Sequence, residues 1–442
     1  MNIRLPSLLS RFSVGLFLFA SAISSQAAAL SMEVVPSQRI IHAGDTQRLF
    51  VKIGLTGGGF ADHHRPPANI AIVLDKSGSM SGLKMMRAKE AAIMAINRLG
   101  PRDTVSVIAY SGRVEIIQPS TRATDKELVT ESIRRIYASG STALFAGVTR
   151  GAAELRKYLS RNHINRVILL SDGQANVGPK SPSELGQLGE ELSEEGISVT
   201  TIGLGLGYNE DLMTRLAQYS GGNHAFVESA NDLARIFNRE FNDVLSVVAN
   251  DATINIRLRP GIKPIRVFGH KATIKGRSIT VKINQIYAKQ QKYVIVELEV
   301  PASQKASHVT LADIKTSYLD LGNKKRRSSN SQLKVATSES RQRATNSIDK
   351  KVMSAAVEYI AINKSKRAVR LRDAGQYQAA ATEFKKNAAW LRKNARKYKS
   401  KKLEGYAKEQ LNASGTVASP AWNKTRKMIR KGDYSRSVQQ SF

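Results

Sequence analysis

Between Asn69 and Val247, short apolar runs alternate with segments whose apolar residues recur every three or four positions. The runs are NIAIVLD, TVSVIAY, NRVILLSDG, SVTTIGLG and NHAFVES, and LKMMRAKEAAIMAINRL is typical of the segments between them. Strands that are apolar on both faces and separated by helices indicate a mainly parallel sheet covered on both sides. The pattern therefore predicts an α/β domain over residues 68–248, with a doubly wound, Rossmann-like sheet.

The segments on either side of this domain have different periods. Residues 30–66 and 250–321 alternate apolar and polar side chains and are broken by turn residues, as in a β-sandwich. We expect them to pair, so that the α/β domain is inserted into a β domain. Residues 322–345 are polar and Ser-rich and are interpreted as a linker, 346–411 as a basic helical region, and 412–442 as a disordered tail.

The N-terminus has the order of residues found in secretory signal peptides. Basic Arg4 and Arg11 precede an apolar run, and small residues follow it, so residues 1–27 are predicted to be a signal peptide. The chain has no cysteine, which excludes disulfides and thiolate metal sites in the sequence as given. Together these features predict an exported protein, with the periplasm favoured over secretion or the cell surface.

A cluster of oxygen-bearing side chains follows the carboxyl ends of the predicted strands. Asp75, Ser77 and Ser79 alternate in DKSGS, directly after one apolar strand, so their side chains can converge on one side of an extended loop. Thr142 opens a helix in SGSTALF, and Asp172 ends another strand in LLSDG. In parallel sheets ligands bind outside the carboxyl ends of the strands. Five oxygen donors without imidazole or thiolate match a hard cation, Mg²⁺ first, with Mn²⁺ or Ca²⁺ as alternatives.

These residues resemble the von Willebrand factor A family over about residues 68–247. The resemblance rests on DKSGS, on the separate Thr142 and on the SDG at Asp172. It implies that Asp75, Ser77, Ser79, Thr142 and Asp172 form the metal-ion-dependent adhesion site of that family. The flanking β segments make the arrangement similar to inter-alpha-trypsin inhibitor heavy chains and to bacterial proteins named as calcium-activated chloride channel homologues.

The predicted site suits binding better than catalysis. Two carboxylates and three neutral hydroxyls leave a dication under-neutralised, so an exposed Asp or Glu of a partner protein can complete its coordination shell. The resemblance implies the same mechanism, together with a movement of the last helix, around residues 231–247. No HExxH, G-x-S-x-G or P-loop motif occurs. The chain is predicted to be a metal-dependent adhesion or scaffold module and not an enzyme.

The distribution of charge supports an alternative function. Residues 323–442 contain 30 Lys and Arg against 8 Asp and Glu, which is +22 of a net charge of +32. Such a region can bind an anionic surface or polymer, such as lipid A or phospholipid, whereas export argues against nucleic acid. Trp390, Tyr398, Tyr406 and Trp422 lie among these basic residues and are expected to stack or to anchor at an interface.

Overall fold

A computed structural model describes residues 29–59, 65–302 and 308–440, so the predicted signal peptide at 1–27 lies outside the described residues. The strands are β1 (Leu30–Pro36), β2 (Ile40–His42), β3 (Gln47–Gly57), β4 (Ala68–Asp75), β5 (Thr104–Tyr110), β6 (Val114–Arg122), β7 (Ile164–Ser171), β8 (Ile197–Leu204), β9 (His224–Val227), β10 (Val247–Leu258), β11 (Lys263–Phe268), β12 (Ala272–Lys275), β13 (Ser278–Tyr287), β14 (Gln291–Val300), β15 (Val309–Asp320) and β16 (Lys325–Ser338). The α-helices are α1 (Leu83–Asn97), α2 (Lys126–Arg134), α3 (Leu144–Arg156), α4 (Pro182–Glu195), α5 (Glu210–Ser220), α6 (Leu233–Leu245), α7 (Arg341–Asn346), α8 (Lys350–Asp373), α9 (Tyr377–Tyr398), α10 (Lys401–Thr416) and α11 (Trp422–Val438).

Strands β4 to β9 form one six-stranded sheet in the order β6-β5-β4-β7-β8-β9. Every pair is parallel except β5 with β6. Every residue of β4, β5, β7 and β8 is buried, because helices cover both faces of the sheet. Helices α1 and α6 contribute to the core on one face, and α3, α4 and α5 to the core on the other. The predicted doubly wound, mainly parallel sheet is confirmed.

Local sequence signals set the ends of the helices in this layer. Helix α4 begins with a capping box, in which the side chain of Ser181 accepts from the backbone of Glu184 and that of Glu184 accepts in return, and Pro182 occupies the first turn. It ends at Gly196, whose φ of 82° is a left-handed conformation that glycine adopts at little cost. These signals fix the residues at which α4 begins and ends.

The flanking segments form two further sheets that pack face to face. One contains β1-β3-β14-β11, and the other contains β12-β13-β10-β15-β16-β2. Their facing side chains form one apolar core, which includes Leu49, Ile53, Ile254 and Val296. Because β3 precedes the parallel sheet and its partner β14 follows it, the α/β domain is inserted into a β-sandwich.

The linker expected at residues 322–345 is wrong. Residues Lys325–Ser338 form β16, which pairs antiparallel with β15 from Lys325 to Val335 and parallel with the short β2. The first half of β16 is polar because most of its side chains are exposed or only partly buried. Backbone hydrogen bonds to β15, rather than an apolar face, hold this half in place.

The disordered tail expected at residues 412–442 is also wrong over the part that the structure describes. Helix α10 continues to Thr416, and α11 runs from Trp422 to Val438. Helices α8, α9 and α10 pack on the outer face of the β1-β3-β14-β11 sheet, against Phe268 and Ile295. The apolar residues of α11 were too few to show from the pattern alone that it is packed.

Helix α11 joins the parallel-sheet domain through buried ion pairs. The Nζ atom of Lys427 donates to Glu210 Oε2 at 2.6 Å and to the carbonyl of Tyr208 at 2.8 Å. Arg426 also contacts Glu210, and it pairs with Asp211 Oδ2 at 2.6 Å. Part of the basic charge of the C-terminal region is therefore neutralised inside the molecule.

Candidate metal centre

The five predicted site residues lie in three loops at one edge of the parallel sheet. Asp75 is the last residue of β4, and Asp172 immediately follows β7, the neighbour of β4. The order of strands reverses here, since β5 lies on one side of β4 and β7 on the other. Ser77 and Ser79 flank the first residue of a 3-10 turn, Gly78–Met80, and Thr142 lies just before α3. The structure thus brings all five to a topological switch point, where α/β sheets bind ligands.

Backbone hydrogen bonds fix the loops against one another. The amide of Lys76 donates to the carbonyl of Tyr110 at 2.7 Å, and the amide of Gly78 donates to that of Gly140 at 3.0 Å. The amide of Ser139 returns a bond to the carbonyl of Lys76 at 2.6 Å. The loop after β4 and the loop that carries Thr142 are therefore held as one unit.

Asp75 is held by hydrogen bonds on both carboxylate oxygens. Its Oδ1 accepts from the amide of Ser77 at 2.8 Å, and its Oδ2 accepts from the hydroxyl of Ser171 at 2.6 Å. Burial raises the pKa of the Asp75 carboxyl, while the hydrogen bonds from Ser171 and Ser77 lower that pKa, and the charge of Asp172 raises it. The two buried carboxylates, Asp75 and Asp172, together favour the arrival of a cation.

The hydroxyl side chains connect the two carboxylates. The Oγ atoms of Ser77 and Ser79 are 3.1 Å apart, and Ser79 Oγ donates to Asp172 Oδ1 at 2.7 Å. Thr142 is positioned by Asn176, whose Oδ1 accepts from the amide of Thr142 at 2.7 Å. Ser79 is exposed, whereas the other four site residues are buried, so the site opens to solvent at Ser79.

The space in front of Gly173 tests whether these residues suit a metal ion. A methyl group on Gly173 would lie 3.3 Å from Thr142 Oγ1, 3.5 Å from Ser79 Oγ and 3.9 Å from Asp75 Oδ2. Oxygens from two hydroxyls and a carboxylate, contributed by two segments of the chain, thus lie around a single point. Oxygen donors of this kind fit a hard divalent cation.

Sequence reasoning did not find several residues that support the site. These include Ser171 and Asn176, described above, and Lys84, in the first turn of α1. Lys84 Nζ contacts Asp172 Oδ2 and donates to the carbonyl of Ser79 at 3.1 Å. Ser171 is the first residue of the SDG motif and could have been found from that position, but no local signal points to Lys84 or Asn176.

Outside the candidate centre, the part of the chain that the structure describes holds no cluster of titratable groups suited to a metal ion. In the ranges 29–59, 65–302 and 308–440, no group of three or more His, Cys, Asp or Glu side chains could hold a metal ion. The candidate centre brings together two carboxylates and three hydroxyl groups, so it differs in kind from such clusters.

A buried polar cluster surrounds Glu240, in the second half of α6, the last helix of this domain. The carboxylate of Glu240 accepts from Asn223 Nδ2 and from Gln440 Nε2, each at 2.9 Å. Burial raises the pKa of Glu240 to about 7, although both hydrogen bonds favour the charged form. Gln440 thereby ties the C-terminal end of the described chain to the helix whose movement the family resemblance implies.

The aromatic side chains of the basic region were expected to be available for stacking, and this is wrong for three of them. Tyr398, Tyr406 and Trp422 are buried in the helical cores, and Trp390 is partly buried with Lys364 Nζ 4.1 Å from its ring centroid.

Among the described residues, no helix is both long and apolar enough to cross a membrane.

Comparisons with known proteins identify the domain that carries these residues. The family model described as von Willebrand factor type A domain matches residues 69–239. YfbK of Escherichia coli is 27% identical over 48% of this chain, and inter-alpha-trypsin inhibitor heavy chain H4 of Homo sapiens is 27% identical over 44% of it. These matches cover 38% and 23% of the two relatives, so the chain spans less than half of their length.

A solved structure shows that the fold extends beyond the matched domain. A von Willebrand factor type A protein from Catenulispora acidiphila aligns with a TM-score of 0.71, covering 94% of this chain and 97% of that one at 16% sequence identity. Domains of this family generally mediate protein interaction and adhesion rather than catalysis, and they commonly bind a divalent cation. The chain therefore contains a von Willebrand factor type A domain at residues 69–239, inserted into a β-sandwich.

Proposed function

We propose that this chain is an exported, non-enzymatic binding module. In this proposal Asp75, Ser77, Ser79, Thr142 and Asp172 hold one divalent cation, with Mg²⁺ preferred over Mn²⁺ and Ca²⁺. A partner protein binds by placing an exposed Asp or Glu carboxylate at that cation. The proposed export to the periplasm rests on the signal-like sequence of residues 1–27.

The observation that carries this proposal is the convergence of oxygens in front of Gly173. Asp75 and Ser79 come from the end of β4 and the loop after it, and Thr142 comes from the loop before α3, and a single methyl group on Gly173 would be within 3.9 Å of an oxygen of each. Ordinary packing does not require two hydroxyls and a carboxylate to face one point beside a second buried carboxylate, Asp172. A cation-binding site does require it.

The protein's own residues prepare this site. When bound, the cation supplies an open coordination position to the carboxylate of the partner. Ser171 and the amide of Ser77 orient Asp75, and Asn176 orients the backbone of Thr142. Because these hydrogen bonds are formed without the partner, little reorganisation is needed when it arrives.

The test compares two serines of the same loop. The hydroxyl of Ser79 faces the candidate centre, whereas that of Ser81 donates to the carbonyl of Gly78 at 2.8 Å. We expect Mg²⁺ to raise the thermal unfolding midpoint of the wild type and of Ser81→Ala, and to raise it much less for Ser79→Ala and Thr142→Val. An equal Mg²⁺-dependent shift in all four proteins would refute the proposal.

A second candidate function follows from the exposed basic surface of α9 and α10. Its exposed basic residues are Lys385, Lys386, Arg392, Lys393, Arg396, Lys397, Lys401, Lys402 and Lys408. Such a surface can attract anionic phospholipid. Binding to vesicles of anionic phospholipid that survives chelator and weakens steeply with salt would support this function, whereas absence of binding at low salt would reject it.

A further inference from the structure

Lys84 brings a positive charge into direct contact with the candidate centre. Its Nζ atom lies on Asp172 Oδ2 and donates to the carbonyl of Ser79 at 3.1 Å. The side chain of Lys84 is 38% exposed, whereas that of Asp172 is fully buried. The ammonium thus reaches from the surface onto one of the carboxylates proposed to hold the cation.

Asp172 needs compensation when no cation is present. A carboxylate removed from water is costly unless hydrogen bonds and an opposite charge replace its hydration. Ser79 Oγ supplies a hydrogen bond to Oδ1, and Lys84 supplies the charge at Oδ2. Lys76, another lysine close to Asp75 in sequence, pairs with Glu115 at 2.7 Å instead.

We propose that Lys84 is a built-in counter-ion that neutralises Asp172 in the cation-free protein and must yield when a divalent cation binds. This inference rests on the proposed metal site. Lys84 can withdraw because its side chain is partly exposed and has a flexible four-carbon stem. It therefore keeps the site stable without a cation and lowers the affinity of the site for one.

Two measured quantities should move in opposite directions in Lys84→Met. The affinity for Mg²⁺ should rise about tenfold, because the cation no longer has to displace Lys84 from Asp172. The increase is limited to this size because the side chain of Lys84 is more than one third exposed, and solvent weakens its ion pair. The stability in chelator should fall, because the charge of Asp172 is left uncompensated. A lysine with a purely structural role would lower stability without raising affinity.

Lys89→Met is the matched control. Lys89 lies on the same helix, is also partly buried, and donates to the carbonyl of Arg134 at 2.8 Å, away from Asp172. This variant removes the same charge from α1 but no contact with the centre. A second variant, Lys84→Arg, retains the charge and should bind Mg²⁺ within a few-fold of the wild type.

The experiment is a calorimetric titration of MgCl₂ into the full chain and each variant. Tighter binding in Lys84→Met alone, together with a lower unfolding midpoint in chelator, is the expected result. Wild-type binding with unchanged or weaker affinity in Lys84→Met would overturn the inference and leave the metal site standing. No Mg²⁺ binding in the wild type or in Lys84→Met would instead overturn the proposed function, and the inference with it.

Discussion

Replacing Gly173 by alanine should block the candidate centre without unfolding the protein. The added methyl group would lie 3.3 Å from Thr142 Oγ1, 3.5 Å from Ser79 Oγ and 3.9 Å from Asp75 Oδ2. Gly173 does not have a positive φ, so alanine fits its backbone conformation. The contact with Thr142 Oγ1 is tight, so this side chain must shift by a few tenths of an ångström. The methyl group also fills space that oxygen ligands need to contact a Mg²⁺ ion at about 2.1 Å.

The size of the effect follows from linkage and from chain entropy. At a Mg²⁺ concentration of about 100 times the dissociation constant, a bound ion stabilises the wild type by about 2.7 kcal/mol, and Gly173→Ala should lose most of this. In chelator the stability of the same variant should lie within about 1 kcal/mol of the wild type, because the restriction of the unfolded chain by alanine opposes the cost of the tight contact with Thr142 Oγ1.

Chemical unfolding in chelator and in Mg²⁺ measures both effects. Gly78→Ala is the control, because a methyl group there would meet only the carbonyl of Gly140, at 3.7 Å, although it lies in the same loop as Ser77 and Ser79. The control should keep the Mg²⁺-dependent stabilisation. A Gly173→Ala protein that is stabilised by Mg²⁺ as strongly as the wild type would refute the assignment of the site.

Two further predictions concern the contacts around α6 and α11. Because the folded pKa of Glu240, about 7, lies above its unfolded value, its contribution to stability is complete below about pH 4.5 and is lost as the pH rises through 7. Urea unfolding at pH 5 and pH 8 should therefore show a smaller stability loss in Glu240→Gln than in the wild type, by roughly 3 kcal/mol; an equal loss would contradict the burial argument. Lys427→Met should lower the free energy of unfolding by about 3 kcal/mol, because it leaves buried Glu210 with one partner fewer. Substitution of Lys424, whose ion pair is exposed, should lower the free energy of unfolding by less than about 1 kcal/mol. Equal losses for Lys427 and Lys424 in urea unfolding would contradict the prediction.

The parallel sheet could be predicted because its sequence signal is local. Strands β4, β5, β7 and β8 are buried along their whole length and are therefore rich in apolar residues. The residues of the site could also be predicted from the sequence, since Asp75 and Asp172 lie at the ends of neighbouring strands whose order follows from the α/β pattern. The side chains that contact them could not be predicted, because Lys84 reaches the centre from the first turn of α1 and Asn176 from the loop between β7 and α4.

Two segments were misassigned because their stability comes from distant partners. Strand β16 (Lys325–Ser338) has a polar first half, and it is held by its ladder with β15. Helix α11 (Trp422–Val438) is rich in basic residues, which usually indicates a solvated helix, but Lys427 is buried against Glu210, more than two hundred residues earlier. The residue types of a segment indicate how much of it is buried on average, but they cannot identify a charge partner so far away in sequence.

Whether a divalent cation binds at this site can be seen in an anomalous difference map from a crystal of the protein grown with Mn²⁺. We predict one strong peak bounded by the Oγ atoms of Ser77 and Ser79 and by Oγ1 of Thr142, with Asp75 and Asp172 bound directly or through water. Density for Lys84 should have moved away from Asp172. A crystal grown with Mn²⁺ that shows no peak at this position, or a peak only elsewhere, would contradict the proposed metal site.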